Sequence, residues 1–483
     1  MDRLLRKIFS LIVRKGTLMV SSGPGRSFTA GDGTGTPIAI SFPNRRTLLW
    51  MLLDPELRLG EAYMDGSLRM ERGSIADLLD LGFRNMAGRA PTPWSAALRA
   101  MRSFYWRVFK MNNLIRSSRN VAHHYDIDHR LYRLFLDSDW QYSCAYFERP
   151  NMSIEEAQQA KKRHIGMKLL LDRPGLRVLD IGSGWGGLGL EFARSVEASV
   201  MGITLSQEQM SEGRKRAESS GLARQVAFEL IDYRNVVLAG QSTSASVAAS
   251  QSRRAGTIDY RILGKPAARR PDGMLADRAE NVVEVAQPFD RIVSVGMFEH
   301  VGVSFYDAFL AKCRELIADD GVILLHTIGR LDGPSETNPW VNRYIFPGGY
   351  TPALSELAPA IERSGLILSD LEVLRLHYAE TLKAWRQRFL AQREQVLKIA
   401  DDGKPLFDER FLRMWEFYLA GFEPAFRHGG LAVFQIQMTK KLDADGTVND
   451  TTYHALWDTA VFLIQIEDST GNRYGNALTK FNP

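Results

Sequence analysis

Residues 178–187, Val-Leu-Asp-Ile-Gly-Ser-Gly-Trp-Gly-Gly, restrict the possible folds more than any other stretch of the chain. A short apolar run meets an acidic residue and then a glycine-rich turn that opens the next apolar segment. Gly182, Gly184 and Gly186 permit a tight turn and close approach of the backbone to a ligand, and Asp180 offers an acceptor where a strand gives way to a helix. The next strand, expected over residues 198–205, ends in Gly202-Ile203-Thr204-Leu205-Ser206. A dinucleotide site would place a ribose-binding Asp or Glu there, and none is present. A nicotinamide cofactor is therefore disfavoured, and S-adenosylmethionine on the same kind of βαβ unit is the better reading.

Around this loop, strand-like runs at 177–181, 199–204, 226–231, 289–294 and 321–327 alternate with helical patterns. Such alternation predicts an α/β, Rossmann-like domain with a mostly parallel sheet, whose ligands sit at the carboxyl ends of the strands. Residues 16–75 carry short strand-like pieces at 17–21, 37–42 and 67–71, followed by helical patterns over 75–136. The expected organisation is a small N-terminal α+β domain over 1–120, a catalytic domain over 121–441 and an atypical extension over 442–483.

Charge and cysteine content narrow the class. The net charge of +5 is modest, and no basic stripe interleaved with aromatics points to nucleic acid. Only Cys144 and Cys313 occur, so no disulfide framework is expected and a reducing compartment fits. No apolar run is long enough to span a bilayer. Residues 1–26 hold six Lys or Arg against the single Asp2. Leu4, Leu5, Ile8, Phe9, Leu11 and Ile12 recur at helical spacing among them, which describes a basic amphipathic helix. It could lie on an anionic membrane surface or pack on the domain behind it, and the stretch alone does not separate the two.

Several separated segments then agree in order. They are Tyr142-Ser143-Cys144-Ala145-Tyr146-Phe147, the 178–187 loop, Gly202 to Gln209, the run from Phe289 to Gly302 containing Gly296-Met297-Phe298-Glu299-His300, Leu325-His326-Thr327-Ile328-Gly329, and Asn342 to Gly349. With these the chain resembles the cyclopropane-fatty-acyl-phospholipid synthase and mycolic acid cyclopropane synthase family. Residues 53–66 also resemble the accessory domain of the phospholipid-acting branch. The resemblance implies S-adenosylmethionine held by Tyr142, Ser143, Asp180, Gly182, Ser183, Gly184, Gly186, Thr204, Gln209, Asp232 and Tyr233. Ser183 stands where the family often has Cys. It further implies a bicarbonate ion, the base of the reaction, held by Cys144, Glu299, His326, Ile328 and Tyr378.

Adding a methyl group to an unactivated cis alkene leaves positive charge on the lipid chain, and one proton must then be removed. Aromatic faces stabilise such a cation without trapping it, at about 0.5–2 kcal/mol each when desolvated. Tyr142, Tyr146, Phe147, Tyr344, Phe346, Tyr378 and Trp385 are candidates, although core packing is the commoner role of any one aromatic. Read without the family, Cys144, His326 and Glu299 would be a buried hydrophobe, a satisfied histidine and a helix cap. The expected partners are unsaturated acyl chains of membrane phospholipids and the inner membrane face, contacted transiently by a cytoplasmic protein that could pair as a homodimer.

Two departures qualify the resemblance. Residues 235–288, rich in Ser, Ala, Gly and Arg, stand where the family has a connection of a few residues, and read as a surface excursion. Replacing them with a short turn is expected to preserve folding. They repeat Ile-Asp-Tyr-Arg (231–234) at 258–261, so either Asp232 or Asp259 could close the cofactor site, and the strand-like run 226–230 before the first copy favours Asp232. Residues 442–483 match nothing expected, and 461–466 suggest one added strand. The readings to be separated are a cyclopropane-forming enzyme, a methyl-branching fatty-acyl methyltransferase, a methyltransferase of small polar acceptors, and a noncatalytic lipid-binding protein closed by the insertion.

Overall fold

The computed structural model describes residues 2–23, 26–88, 101, 128–240, 250–263, 282–442, 466–467 and 473–474. In the N-terminal part, β1 (Thr17–Ser22), β2 (Ser27–Gly31), β3 (Ile38–Phe42) and β4 (Arg69–Arg72) form one sheet in the order β2-β1-β3-β4, with β1 and β3 parallel. Their alternate residues Leu18, Val20, Phe28, Ile38 and Ile40 face a shared core, as period-2 patterning requires. The helix Asp2–Ile12 covers that core: Leu5 and Phe9 are buried, and the Phe9 and Phe28 rings lie edge to face at 5.5 Å. The basic amphipathic helix packs on its own domain through Leu5 and Phe9, with Leu11 left exposed. The boundary expected near residue 120 lies outside the described residues.

From Arg177 onward come β5 (Arg177–Ile181), β6 (Ser199–Thr204), β7 (Val226–Leu230), β8 (Val236–Leu238), β9 (Ser250–Ala255), β10 (Ile258–Leu263) and β11 (Val282–Val285). They are followed by β12 (Phe289–Val295), β13 (Ile317–Arg330), β14 (Ile367–Leu374), a short hairpin β15 (Ala400–Asp401) and β16 (Lys404–Pro405), and β17 (Leu431–Thr439). Seven of them make the main sheet in the order β14-β17-β13-β12-β5-β6-β7. The run from β13 to β7 is parallel, while β17 lies antiparallel between β13 and β14. Every residue of β6 is buried, which is why it reads as a continuous apolar strand rather than an alternating one. β14 carries Asp370 and Glu372 and sits at the sheet edge, so its polarity hid it from periodicity. Because β5 has β6 on one side and β12 on the other, the chain reverses direction across the sheet there. A crevice opens at the carboxyl ends of these strands.

The insertion departs from the expected surface excursion. β8, β9, β10 and β11 form their own four-stranded sheet in the order β8-β11-β10-β9. Val236, Ala255, Ile258, Tyr260, Val283 and Val285 are buried in the main hydrophobic core beside Leu179, Met201 and Phe309. Thr257 N–H donates to Ser199 Oγ at 2.9 Å, and the Tyr260 hydroxyl donates to Glu229 at 2.8 Å, where Arg214 and Arg253 also converge. The described part of the insertion is thus a structural layer on β6 and β7. In 258–261 the alternation buried-exposed-buried-exposed was the legible signal. The strand suggested over 461–466 falls almost wholly outside the described residues. No described helix is long and apolar enough to cross a membrane.

Candidate active site

The crevice is lined from β5 and its loop by Asp180, Gly182, Ser183 and Gly184, from β6 by Thr204, from the helix Gln207–Ser219 by Gln209, and from beyond the end of β7 by Asp232 and Tyr233. Tyr142 and Ser143 close it from the preceding segment. Gly186, expected among the contacts, lies behind this wall: its φ of 82° starts the helix Gly187–Val196, and any Cβ there would lie 2.4 Å from the Phe228 ring. The same ring lies 2.6 Å from where a Gly202 Cβ would be, so both glycines are needed for the backbone to close over Phe228 behind the cavity. Asp259, the repeat copy, is exposed on β10 and pairs with Arg254, outside the cavity. Asp232 is the copy that faces the cavity, with its carboxylate held by Arg234 at 2.5–3.0 Å.

Two buried polar atoms here lack partners among the described residues, Asp180 Oδ2 and Ser183 Oγ. Buried groups of this kind are normally satisfied, so they mark where a polar ligand is to be received. Burial pushes the Asp180 carboxyl up to about 7, against the pull of the nearby Lys161 ammonium. Thr204 and Gln209 hydrogen-bond each other at 2.8 Å, and the Ser206 hydroxyl caps the helix Gln207–Ser219 through Gln209 N–H.

Sequence reasoning missed several groups. Lys161 is 1% exposed and donates to Gln141 Oε1 and Ser143 Oγ at 2.5 and 2.9 Å. Burial lowers its pKa to about 8. It lies on the helix Ile154–Lys168, started by the Ser153–Glu156 capping box, and its partners are far enough along the chain that no local spacing announced it. Trp140, at φ 58°, also lines the cavity, with the Arg133 guanidinium 4.3 Å from its ring centroid. Gln141, Trp185, Arg234 and His300 complete that wall. Burial holds the His300 imidazole down to about 4.

The five residues expected around bicarbonate do not line this cavity but stand beside it. Glu299 follows Gly296 and Met297, which do line it, and its Oε1 accepts the Ile328 N–H at 2.7 Å. His326 lies two residues before Ile328 on β13. Cys144 and Tyr378 are buried in the cluster that Ile328 packs against. Ala145 N–H donates to Thr381 Oγ1, which ties the Cys144 segment to the helix Leu376–Ala391 carrying Tyr378. Glu299 Oε2 and His326 Nε2 are buried without partners among the described residues. Burial raises the Glu299 carboxyl to about 7, opposed by the Ile328 N–H, and lowers the His326 imidazole to about 3, with Lys161 adding to the effect. Burial also pushes the Cys144 thiol well up, so it stays a thiol.

All seven candidate aromatics belong to one cluster. Tyr378 and Trp385 are among its buried members, and Tyr142, Tyr146, Phe147, Tyr344 and Phe346 pack against the cluster. Tyr142 stacks on Trp385 at 5.2 Å and its hydroxyl lies 3.1 Å from that of Tyr418. Tyr142 therefore joins the aromatic cluster to the cofactor cavity. Tyr146 is instead sandwiched between His164 and His377 at 4.1 and 4.9 Å, and the Tyr344 hydroxyl donates to Glu61 of the N-terminal part.

Comparison with known proteins gives the family. The family model for mycolic acid cyclopropane synthetase matches residues 112–247 and 276–436. Between these two stretches the match leaves out 248–275, a narrower interruption than 235–288. A probable fatty acid methyltransferase of Pseudomonas putida is 31% identical over 87% of this chain and 91% of its own. The cyclopropane-fatty-acyl-phospholipid synthase of Escherichia coli K12 is 33% identical over 81% and 85%. Among solved structures, the mycolic acid cyclopropane synthase CmaA1 complexed with SAH and CTAB aligns with a TM-score of 0.51 at 28% identity, covering 66% of this chain and 97% of that one. The protein belongs to the mycolic acid cyclopropane synthetase family of S-adenosylmethionine-dependent methyltransferases.

Proposed function

We propose that this enzyme converts cis-unsaturated acyl chains of membrane phospholipids into cyclopropane chains, with S-adenosylmethionine as the one-carbon donor and bicarbonate as the base. The observation that carries the reading is the juxtaposition of an aromatic cluster with two buried atoms unpartnered among the described residues, Glu299 Oε2 and His326 Nε2, beside a cavity whose lining suits a nucleoside-type ligand.

S-adenosylmethionine bound among Asp180, Ser183, Thr204, Gln209 and Asp232 would supply an electrophilic methyl group. The alkene electron pair would form the new carbon–carbon bond as the methyl–sulfur bonding pair returns to sulfur, and the faces of Tyr142, Tyr378 and Trp385 would stabilise the positive charge left on the chain. Loss of one proton from the added carbon lets its C–H pair close the ring. Bicarbonate would supply the acceptor for that proton, held by the N–H of His326, the carboxyl of Glu299 and the Tyr378 hydroxyl. The protonated Cys144 thiol does not compete as a nucleophile for the cation. The N-terminal domain would serve in docking on the bilayer.

Vesicles of cis-unsaturated phospholipid incubated with the protein and S-adenosylmethionine test the reading by mass spectrometry and proton NMR of the released acyl chains. The expected result is a gain of one CH₂ with high-field cyclopropane protons. Branched-methyl signals instead would select a fatty-acyl methyltransferase, the activity for which the Pseudomonas putida relative is named. No transfer would sink both.

A pH dependence follows from Asp180. Its carboxyl, raised to about 7 in the free protein, is neutral below that value and ionised above it. A positively charged cofactor favours the carboxylate, so affinity should rise with pH up to about 7 and then level off. The slope below that point is at most about tenfold per pH unit. Isothermal titration of S-adenosylmethionine across this range checks it, and Asp180→Asn should flatten the profile. An unchanged profile in that variant would remove Asp180 from the site.

A further inference from the structure

His326 and Gln435 stand directly opposite each other on the antiparallel strands β13 and β17. Both are buried, with Gln435 at 0% exposure, and Gln435 Nε2 lies 3.2 Å from His326 Nδ1. The next residue in the same row, Glu372 on β14, is engaged by His164 at 2.7 Å and Lys168 at 2.8 Å. A neutral imidazole carries one N–H, and the partner of one ring nitrogen determines which nitrogen holds it.

We propose that Gln435 is a positioning residue for His326: its amide donates to Nδ1 and so keeps the imidazole proton on Nε2, the nitrogen that would donate to a bound bicarbonate ion. The inference rests on the anion-pocket reading given above. Two observations favour this orientation of the amide. Gln435 Oε1 has no partner among the described residues, so turning the amide over would put an NH₂ group there. A buried NH₂ without acceptors is a rarer and costlier arrangement than an under-satisfied carbonyl. The turned amide would also accept from Nδ1–H and leave a bare lone pair on His326 Nε2. That atom is buried and unpartnered among the described residues, and a lone pair there would repel an anion rather than hold it.

The pairing acts across the sheet. β17 lies between β13 and β14, so Gln435 is held on both sides by main-chain ladders and has little freedom to follow a change in the ring. Metal-bound histidines are oriented by partners on the other ring nitrogen in the same way, and losing such a partner typically costs about tenfold or more in affinity or activity.

The test uses full-length protein labelled with ¹⁵N-histidine and free of bicarbonate, read by long-range ¹H–¹⁵N correlation. The His326 signals are those lost in His326→Gln. The expected wild-type pattern is a neutral ring protonated on Nε2 throughout the neutral pH range; a ring protonated on Nδ1 overturns the proposal without need of any Gln435 variant. Gln435→Met, which keeps the volume and removes the donor, should give mixed tautomers and raise the bicarbonate concentration for half-maximal turnover on unsaturated vesicles by about tenfold, with S-adenosylmethionine affinity unchanged. Gln435→Glu should move the proton to Nδ1. An unaltered tautomer in Gln435→Met would equally overturn the proposal. An Nε2-protonated wild-type ring with turnover indifferent to bicarbonate would instead sink the anion pocket while supporting the hold of Gln435 on the ring.

Discussion

Glu299→Gln and His326→Ala are each expected to reduce turnover by about 10²–10⁴-fold, the usual worth of a positioned proton-transfer group, while cofactor affinity stays at its wild-type level. The separation of effects is the informative part. Neither side chain lines the cofactor cavity, although Met297 and His300 on either side of Glu299 do. Glu299→Gln keeps the shape and an oxygen to accept the Ile328 N–H, so the local fold should persist and only the titratable function disappears. His326→Ala leaves a void in a strand paired on both edges, and its thermal stability must be measured alongside. Single-turnover kinetics on vesicles and titration of S-adenosylmethionine decide the matter. If both variants lose the cofactor, the two residues belong to the cavity wall and not to an anion pocket.

Excising residues 235–288 and joining the ends by a short turn is expected to give insoluble or non-cooperatively folded protein. Five larger apolar side chains of this segment, Val236, Ile258, Tyr260, Val283 and Val285, are buried in the main core. At about 1.5–3 kcal/mol each, their burial is on the order of 10 kcal/mol, comparable with the whole stability of a typical domain at about 5–15 kcal/mol. Excision would also leave Glu229 beside the cofactor strand with one of its three partners. Val283→Asp should have the same outcome by burying a charge, whereas Tyr260→Phe should cost about 1 kcal/mol and leave turnover intact. A soluble excised protein that unfolds cooperatively at the parent temperature would show the sheet to be an appendage.

Much of the site is legible in the sequence. Asp180, the glycines at 182 and 184, Thr204 and Gln209 are close along the chain to the strand ends that present them, because a βα junction needs particular residue types at particular backbone positions. Sequence favours Asp232 over Asp259 only through the strand-like run 226–230 before it, since both follow an isoleucine and precede Tyr-Arg. What separates them is that β7 delivers Asp232 to the sheet's carboxyl edge while β10 carries Asp259 to solvent.

Local sequence suffices for the glycine loop, the succession of parallel strands and the residue types of the reaction centre, because these depend on backbone geometry and short-range spacing. Long-range packing is what brings Lys161 to Gln141 and Ser143, gathers seven aromatics into one cluster and sets Gln435 opposite His326 on the neighbouring strand. It also makes the inserted segment part of the core. Each of those depends on groups distant in the chain meeting where water is excluded, and burial, not identity, gives them their protonation states and their unpaired atoms.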